Sequence, residues 1–395
     1  MVKGKEGEPM EEFPIHCPVQ DTAHDLPYPA AELQPLLNHL LGNHAAPQRF
    51  PRGTVTEDGR LDLCKQDLGV EGCRHIKEAL LANNVIHTLL LGTDAIGDEG
   101  VAMVAELVAQ NSTLHTLYLG CNHITEAGMH TLGEAIAAQD HIEALWLKRN
   151  PIGEGGAKAV ASMLQKTPSL KVLDLVQALP DRKGLTDILE VLIQQNRTVE
   201  RLHLGGNHLG PAEAEQLAQV LKANPTLRSL MLGVGQLGDE GAIVLAEALQ
   251  HNTTLQELGL ASNGIGKDGA RVLLQTLKNH PSLEVLDLGY APSTRVLNAQ
   301  GNVLGDRLAP ELGQLLQHNT TLRRLDVTRT GLTLQSLPTL QAALQENHTL
   351  LELQVEKALL RPLMPLLERN RAQAEPWEVP AELQRIRSVY RTRVL

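Results

Sequence analysis

The side chains best suited to acid–base work in this sequence are Asp174 and His203, a carboxylate and an imidazole. An imidazole titrates near neutrality, and a carboxylate beside it would fix its orientation. Hydrolysis through such a pair also needs a nucleophile, and no serine or cysteine stands at the matching position of the neighbouring segments. Asp174 and His203 are therefore expected to form a surface His–Asp pair. Cys121 with His123, and His16 with Cys17, combine metal-ligating types, but two ligands at such spacing fall short of a four-coordinate zinc site. No GxxxxGK[ST] phosphate loop occurs. No catalytic residue, cofactor or metal is assigned, and enzymatic activity is not expected. The remaining chemistry is recognition. Leu90, Tyr118 and Trp146 recur at steps of 28 in a chain with only 2% aromatic residues, and Tyr and Trp are the usual anchors of protein interfaces.

Those steps belong to a longer beat. Leu114, Ile142, Leu170, Val199, Leu227, Leu255 and Leu283 open near-identical LxxLxL phrases, spaced 28, 28, 29, 28, 28 and 28 residues apart. A fixed period of this size indicates a solenoid, in which each unit packs only on its neighbours and the core grows linearly with length. Inside one unit the pattern switches. LxLxL alternates as a half-buried strand does, whereas Ala242, Leu245, Ala246 and Leu249 recur as one face of a helix. Eleven strand segments are expected, starting at Asp58, Ile86, Leu114, Ile142, Leu170, Val199, Leu227, Leu255, Leu283, Leu322 and Leu350. Gly72, Gly100, Gly128, Gly156, Gly184, Gly241 and Gly269 recur at the helix starts, where neighbouring coils approach closely or the backbone takes an unusual angle. The expected architecture is an α/β horseshoe, with a curved parallel sheet on the concave face and helices on the convex face. Five N-x-[ST] sequons, at Asn111, Asn196, Asn252, Asn319 and Asn347, share one phase of the repeat. They are read as helix C-caps in the left-handed conformation rather than as glycosylation sites.

The phrases LHTLYLGCNHITEAGM (Leu114 to Met129), LRSLMLGVGQLGDEGA (Leu227 to Ala242) and LQELGLASNGIGKDGA (Leu255 to Ala270) resemble leucine-rich repeats of the ribonuclease-inhibitor-like class. That class includes the repeats of NOD-like receptors and of the GTPase-activating protein for Ran, and the resemblance covers roughly residues 58–356. It implies the horseshoe and a binding role, and specifies no partner. The turn asparagine of the class stands at Asn122, Asn150, Asn207 and Asn263, and is replaced at Asp94, Ala178, Gly235 and Thr330. The unit after Leu175, VQALPDRKGLTD, departs furthest from the pattern.

In such a fold the middle residue of LxL faces outward onto the open sheet. Down the stack that column reads Asp62, Leu90, Tyr118, Trp146, Asp174, His203, Met231, Gly259, Asp287, Asp326 and Gln354. Leu90, Tyr118 and Trp146 then form an exposed apolar stripe, which marks an interface. Lys148, Arg149 and Asp174 supply a polar rim, and His203, Met231, Asp287 and Asp326 extend the surface. The step from Leu283 to Leu322 is 39, so 11 extra residues lie within Gly289 to Gln300. An insertion after a strand projects at the rim, where function is often placed, and Tyr290 and Arg295 join the candidate partner-binding residues.

A formal charge of −11 disfavours nucleic acid. No apolar run is long enough to span a membrane, and the N-terminus is no secretory signal. Four irregularly spaced cysteines (Cys17, Cys64, Cys73, Cys121) do not make a disulfide framework. A monomer in the cytoplasm is expected. Residues 1–57 read as a disordered arm ending in a short capping helix, 58–356 as the repeats, and 357–395 as a cap with a basic helical tail. In that tail Leu383, Ile386 and Tyr390 share one helical face, beside Arg385, Arg387, Arg391 and Arg393, and the face is expected to pack on the last coil. The function expected is a non-catalytic scaffold that takes a protein or peptide on the concave face and rim. The alternatives are a GTPase regulator similar to the Ran activator, or a substrate-recruiting adaptor for ubiquitin ligation or a secreted effector. The end is basic where the Ran activator would continue into an acidic tail, and residues 31–43 are too short for an F-box-like segment.

Overall fold

A computed structural model describes residues 30–179, 183–376 and 380–390. His16 and Cys17 fall outside these residues, with the rest of the first 29 residues of the expected arm. The described residues open with helix α1 (Ala30–Leu41), followed by the short strands β1 (Gln48–Arg49) and β2 (Thr54–Val55). Strand and helix then alternate: β3 (Arg60–Asp62), α2 (Gly69–Leu80), β4 (Thr88–Leu90), α3 (Gly97–Gln110), β5 (Thr116–Tyr118), α4 (Glu126–Ala137), β6 (Ala144–Trp146) and α5 (Gly153–Lys166). Next come β7 (Val172–Asp174), α6 (Lys183–Gln194), β8 (Arg201–His203), α7 (Pro211–Ala223), β9 (Ser229–Met231), α8 (Gly238–Leu249), β10 (Glu257–Gly259) and α9 (Lys267–Leu277). The chain continues with β11 (Val285–Asp287), α10 (Ala309–His318), β12 (Arg324–Asp326), α11 (Leu337–Glu346), β13 (Glu352–Gln354), α12 (Lys357–Gln373) and the five-residue α13 (Ala381–Arg385).

The strands stack in chain order into one open sheet. β3 to β13 are parallel and in register, so that Leu61 lies beside Leu89, Leu89 beside Leu117, and Leu325 beside Leu353. β1 and β2 add an antiparallel hairpin on β3. The fold is an α/β solenoid with an open sheet, and its parallel strands coincide with the LxL phrases. Each strand turns its central leucine into a continuous aliphatic core shared with the apolar faces of the helices. α1 seats Leu33, Leu36, Leu37 and Leu40 against the first coil, which shields one open end of that core. Helix packing is close enough to demand glycine: a Cβ at Gly184 would stand 2.3 Å from the Cβ of Ala157 on the neighbouring helix.

Two asparagine ladders tie coil to coil. At the helix ends, Asn111 donates its amide to the carbonyls of Leu80 and Asn83 and accepts from the N–H groups of Thr113 and Leu114. Asn196, Asn252, Asn319 and Asn347 repeat the arrangement, and all five sequon asparagines are buried. None of the five takes the left-handed backbone expected, and Asn111, Asn319 and Asn347 cap their helices with extended backbone: Asn111 has φ −112° and ψ 107°. The side chain reaches across to the preceding coil, so no left-handed turn is needed to satisfy the carbonyls. At the turns after the strands, Asn122 and Asn150 each bridge two carbonyls, one from their own coil and one from the preceding coil. Asp94 takes this place in the second coil. Its carboxyl accepts the N–H of Gln66 at 2.8 Å, and burial drives its pKa well above the usual carboxylate value.

The 11-residue insertion folds back on the rim. Thr294 and Ala291 hydrogen-bond the hydroxyl of Ser262, and Leu297 is buried beside Gly206. Of the irregular unit after Leu175, residues 180–182 lie outside the description. Its start is held by Asn207, whose carbonyl accepts the N–H groups of Ala178 and Leu179.

Candidate peptide-binding face

The side chains at both ends of each three-residue strand face the concave side, because alternation sends only the central leucine inward. Two outward columns therefore run down the sheet. One is the expected column from Asp62 to Gln354. The other runs through Arg60, Thr88, Thr116, Ala144, Val172, Arg201, Ser229, Glu257, Val285, Arg324 and Glu352. Reading only the middle of LxL missed this second column, although the same period-2 rule places it.

The apolar stripe is where the sequence puts it, but it is not exposed. Leu90, Tyr118 and Trp146 are 0%, 6% and 3% accessible and form a second apolar cluster with Cys64, Ala144 and Val172. What covers them is the chain's own residues 380–390. Ile386 is buried in this cluster and Leu383 packs beside it. The C-terminal segment thus lies across the concave face of the early coils, and the expectation that it packs on the last coil is corrected. The reason is area: Leu90, Tyr118 and Trp146 offer large uncovered apolar surface, and burying one aliphatic side chain such as Ile386 there contributes about 1.5–3 kcal/mol.

Polar contacts fix the register of this strap. At its start Glu382 meets Arg201 of β8 at 2.6 Å, and Arg201 also holds Glu257 of β10 at 2.6 Å. Burial alone would lower the pKa of Arg201, but its two carboxylate partners outweigh that and raise it. Arg60 of β3 donates to the main-chain carbonyls of Gln384 and Arg385, at 3.0 and 3.4 Å. Asp62 accepts the Ser388 hydroxyl at 3.1 Å and the Val389 N–H at 2.6 Å. Tyr390 ends the series with its hydroxyl 2.7 Å from that of Thr54 and its ring 5.9 Å from the Arg49 guanidinium. The strap runs from β8 back to β1, against the order of the strands. Arg391 and Arg393 lie outside the described residues.

Asp174 and His203 do come together, with Nδ1 of His203 3.6 Å from a carboxylate oxygen. They are not the surface pair expected. The Asp174 side chain is 4% accessible, and the Trp146 ring meets His203 edge-on at 5.1 Å. The other oxygen of Asp174 accepts the N–H of Val176, two residues on. Asp62, Asp287 and Asp326 make the same bond to Cys64, Gly289 and Thr328. Aspartate in this column therefore anchors the turn that follows the strand.

Lys148 sits 5.8 Å from the centroid of the Tyr118 ring, and Arg149 donates to Gln177 at 2.6 Å. Towards the other end of the sheet, Met231, Asp287, Asp326 and Gln354 are partly accessible, and the strap makes no described contact with them. Burial raises the pKa of Asp287 to about 6, with nearby Asp326 adding to it. Tyr290 stacks under Arg329 at 4.9 Å, and Arg295 is exposed on the insertion. Cys64 and Cys73 are buried free thiols, Cys121 is buried as well, and burial pushes the Cys73 thiol up to about 12. No group of three potential metal ligands occurs among the described residues, and no helix there is long and apolar enough to cross a membrane.

The fold and this face define a repeat solenoid with an open sheet. A leucine-rich repeat family model matches residues 110–133, 195–218, 223–246 and 251–274, so the chain carries leucine-rich repeats in four places. Each match runs from the end of one helix, through a strand, into the next helix. Among solved structures the chain is similar to leiomodin-1 actin-binding site 2, at 19% identity over 47% of this chain and 88% of that one, with a TM-score of 0.31. Comparison with curated proteins finds no match.

Proposed function

We propose that this protein is a non-catalytic interaction scaffold of the ribonuclease-inhibitor-like class, which takes a protein or peptide on the concave face and rim of its repeats. The observation that carries this reading is the strap. The concave face holds an 11-residue segment by apolar anchors, ion pairs and main-chain hydrogen bonds together, which is how a groove holds a peptide ligand. Leu90, Tyr118 and Trp146 form its apolar floor, with Lys148, Arg149, Asp174 and His203 around them. Met231, Asp287 and Asp326 extend the face, and Tyr290 and Arg295 form the rim beside the insertion.

Affinity purification followed by mass spectrometry tests it. Partners are expected to be lost from a Tyr118→Ala/Trp146→Ala or an Asp287→Lys/Asp326→Lys chain. They should be retained by Glu190→Lys, which changes the convex helix α6. Recovery undiminished by both concave variants, each shown to be folded, moves the interface off this face.

A further inference from the structure

The strap is a poor fit for the face it covers. A cavity of about 230 Å³ remains between them, lined by Thr116, Val172, Arg201, Ala381, Glu382 and Arg385 among others. The Thr116 hydroxyl that lines it is buried without a hydrogen-bond partner among the described residues, as are the Trp146 ring nitrogen and Nε2 of His203 elsewhere on the face. Part of its grip is indifferent to sequence. Arg60 reads two main-chain carbonyls, and one oxygen of Asp62 reads a main-chain N–H. Five side chains of the strap supply identity: Glu382 on Arg201, Leu383 and Ile386 on the apolar floor, Ser388 on Asp62, and Tyr390 on Thr54 and Arg49. Gln384, Arg387 and Val389 are exposed.

A loosely fitted, main-chain-held segment stays docked because it is tethered. A short tether gives an effective concentration in the millimolar range, so weak intrinsic affinity suffices. A free peptide with the same anchors and a better fill of the cavity then competes.

Resting on the concave face being the docking surface, we propose that the face of β3–β8 is a peptide groove whose internal occupant is residues 380–390. Its external partner is a peptide of the same chemistry. That peptide carries an acidic residue followed directly by an aliphatic one, a second aliphatic three residues on, then a hydroxyl and an aromatic at successive steps of two. The strap masks the groove until such a peptide displaces it.

The probe is a fluorescein-labelled peptide of residues 380–390, titrated by anisotropy into three full-length chains. Wild type is expected to bind it at least tenfold more weakly than a Leu383→Asp/Ile386→Asp chain, in which the strap no longer seats. Ser388→Asp, which keeps every apolar residue but sets a second carboxylate against Asp62, should also bind more tightly than wild type. The same peptide carrying both aspartates should bind none of the three. Equal affinity for wild type and both strap variants overturns the masking, and saturable binding of the doubly substituted peptide overturns the anchor assignment. A peptide that binds no chain overturns the groove. The wider scaffold reading is judged separately, by whether partners are lost from the Asp287→Lys/Asp326→Lys chain, whose changes lie outside the groove.

Discussion

The two halves of the concave face share one backbone and one register, and differ in what their outward residues require. From β3 to β7 the columns supply Leu90, Tyr118, Ala144, Trp146 and Val172, an apolar surface that is unfavourable in water and is covered by the strap. From β9 to β13 the columns turn to Asp287, Asp326, Arg324, Glu352 and Gln354, which bond to turns or to one another and remain partly accessible. Arg201, paired both with Glu257 and with the strap's Glu382, marks the boundary. The coil therefore prescribes geometry alone. Whether a stretch of this sheet needs a cover is decided by two residues per strand that the leucine pattern leaves free.

Truncating the same outward position on each side should break the comparison most sharply. Trp146→Ala removes a buried indole and its strap contacts, with an expected loss of about 3–5 kcal/mol. Met231→Ala, at the same position of β9, should cost under about 1 kcal/mol. Denaturation midpoints check both, and equal losses would mean that the halves do not differ. Ser388→Asp comes next. Two like charges about 4 Å apart repel by about 4 kcal/mol at an effective dielectric of about 20, and undocking relieves most of that. Exchange of the Val389 amide should quicken at least about tenfold, or about 1.4 kcal/mol, while amides of β10 to β13 stay unchanged.

The polar half is probed by pH. Asp287 has its folded pKa raised to about 6, against about 3.9 in an unfolded chain. Its contribution is fully present below about pH 4 and is lost as pH rises through about 6. Asp287→Asn should therefore stabilise by about 1–2 kcal/mol above pH 7, after allowance for solvent screening, and by little at pH 4. A gain that does not depend on pH would contradict this. Asp94→Asn should shift thermal midpoints in the same sense, with the gain over wild type vanishing in acid, because burial raises that carboxyl too. The smallest effect is expected from Glu382→Gln. It loses one ion pair to Arg201, should cost about 0.5–1 kcal/mol, and should be visible as faster exchange confined to residues 380–390.

The coils were readable from sequence because a solenoid's contacts are local. Leu61, Leu89 and Leu117 repeat the same slot, and each touches only the coils on either side. The outward position of Leu90, Tyr118 and Trp146 followed from alternation. The second outward column follows from the same rule, but its residues (Arg60, Thr88, Thr116, Ala144, Val172) vary in type and lie outside the LxL phrase, so no repeated residue type marks it. The strap was not legible in that way. Ile386 joins the cluster of Leu90, Tyr118 and Trp146 from a segment far along the chain, and periodicity carries no information about that meeting. The signal present was indirect: an uncovered apolar stripe, and a terminal segment with Leu383, Ile386 and Tyr390 spaced as if to cover something. The burial of Asp174 and the edge-on contact of the Trp146 ring with His203 depend on how side chains reach across the sheet, which the residue types alone do not give.

The strap's sequence position has a consequence for how the chain is made. Val389 bonds to Asp62 across 327 residues, so the face is built long before its cover is synthesised. At about 5–20 residues per second, the interval is on the order of tens of seconds. During that time Leu90, Tyr118 and Trp146 stand open on the nascent chain. A peptide or a chaperone present at the ribosome meets an uncovered apolar face then, and the order of synthesis gives it a head start over residues 380–390.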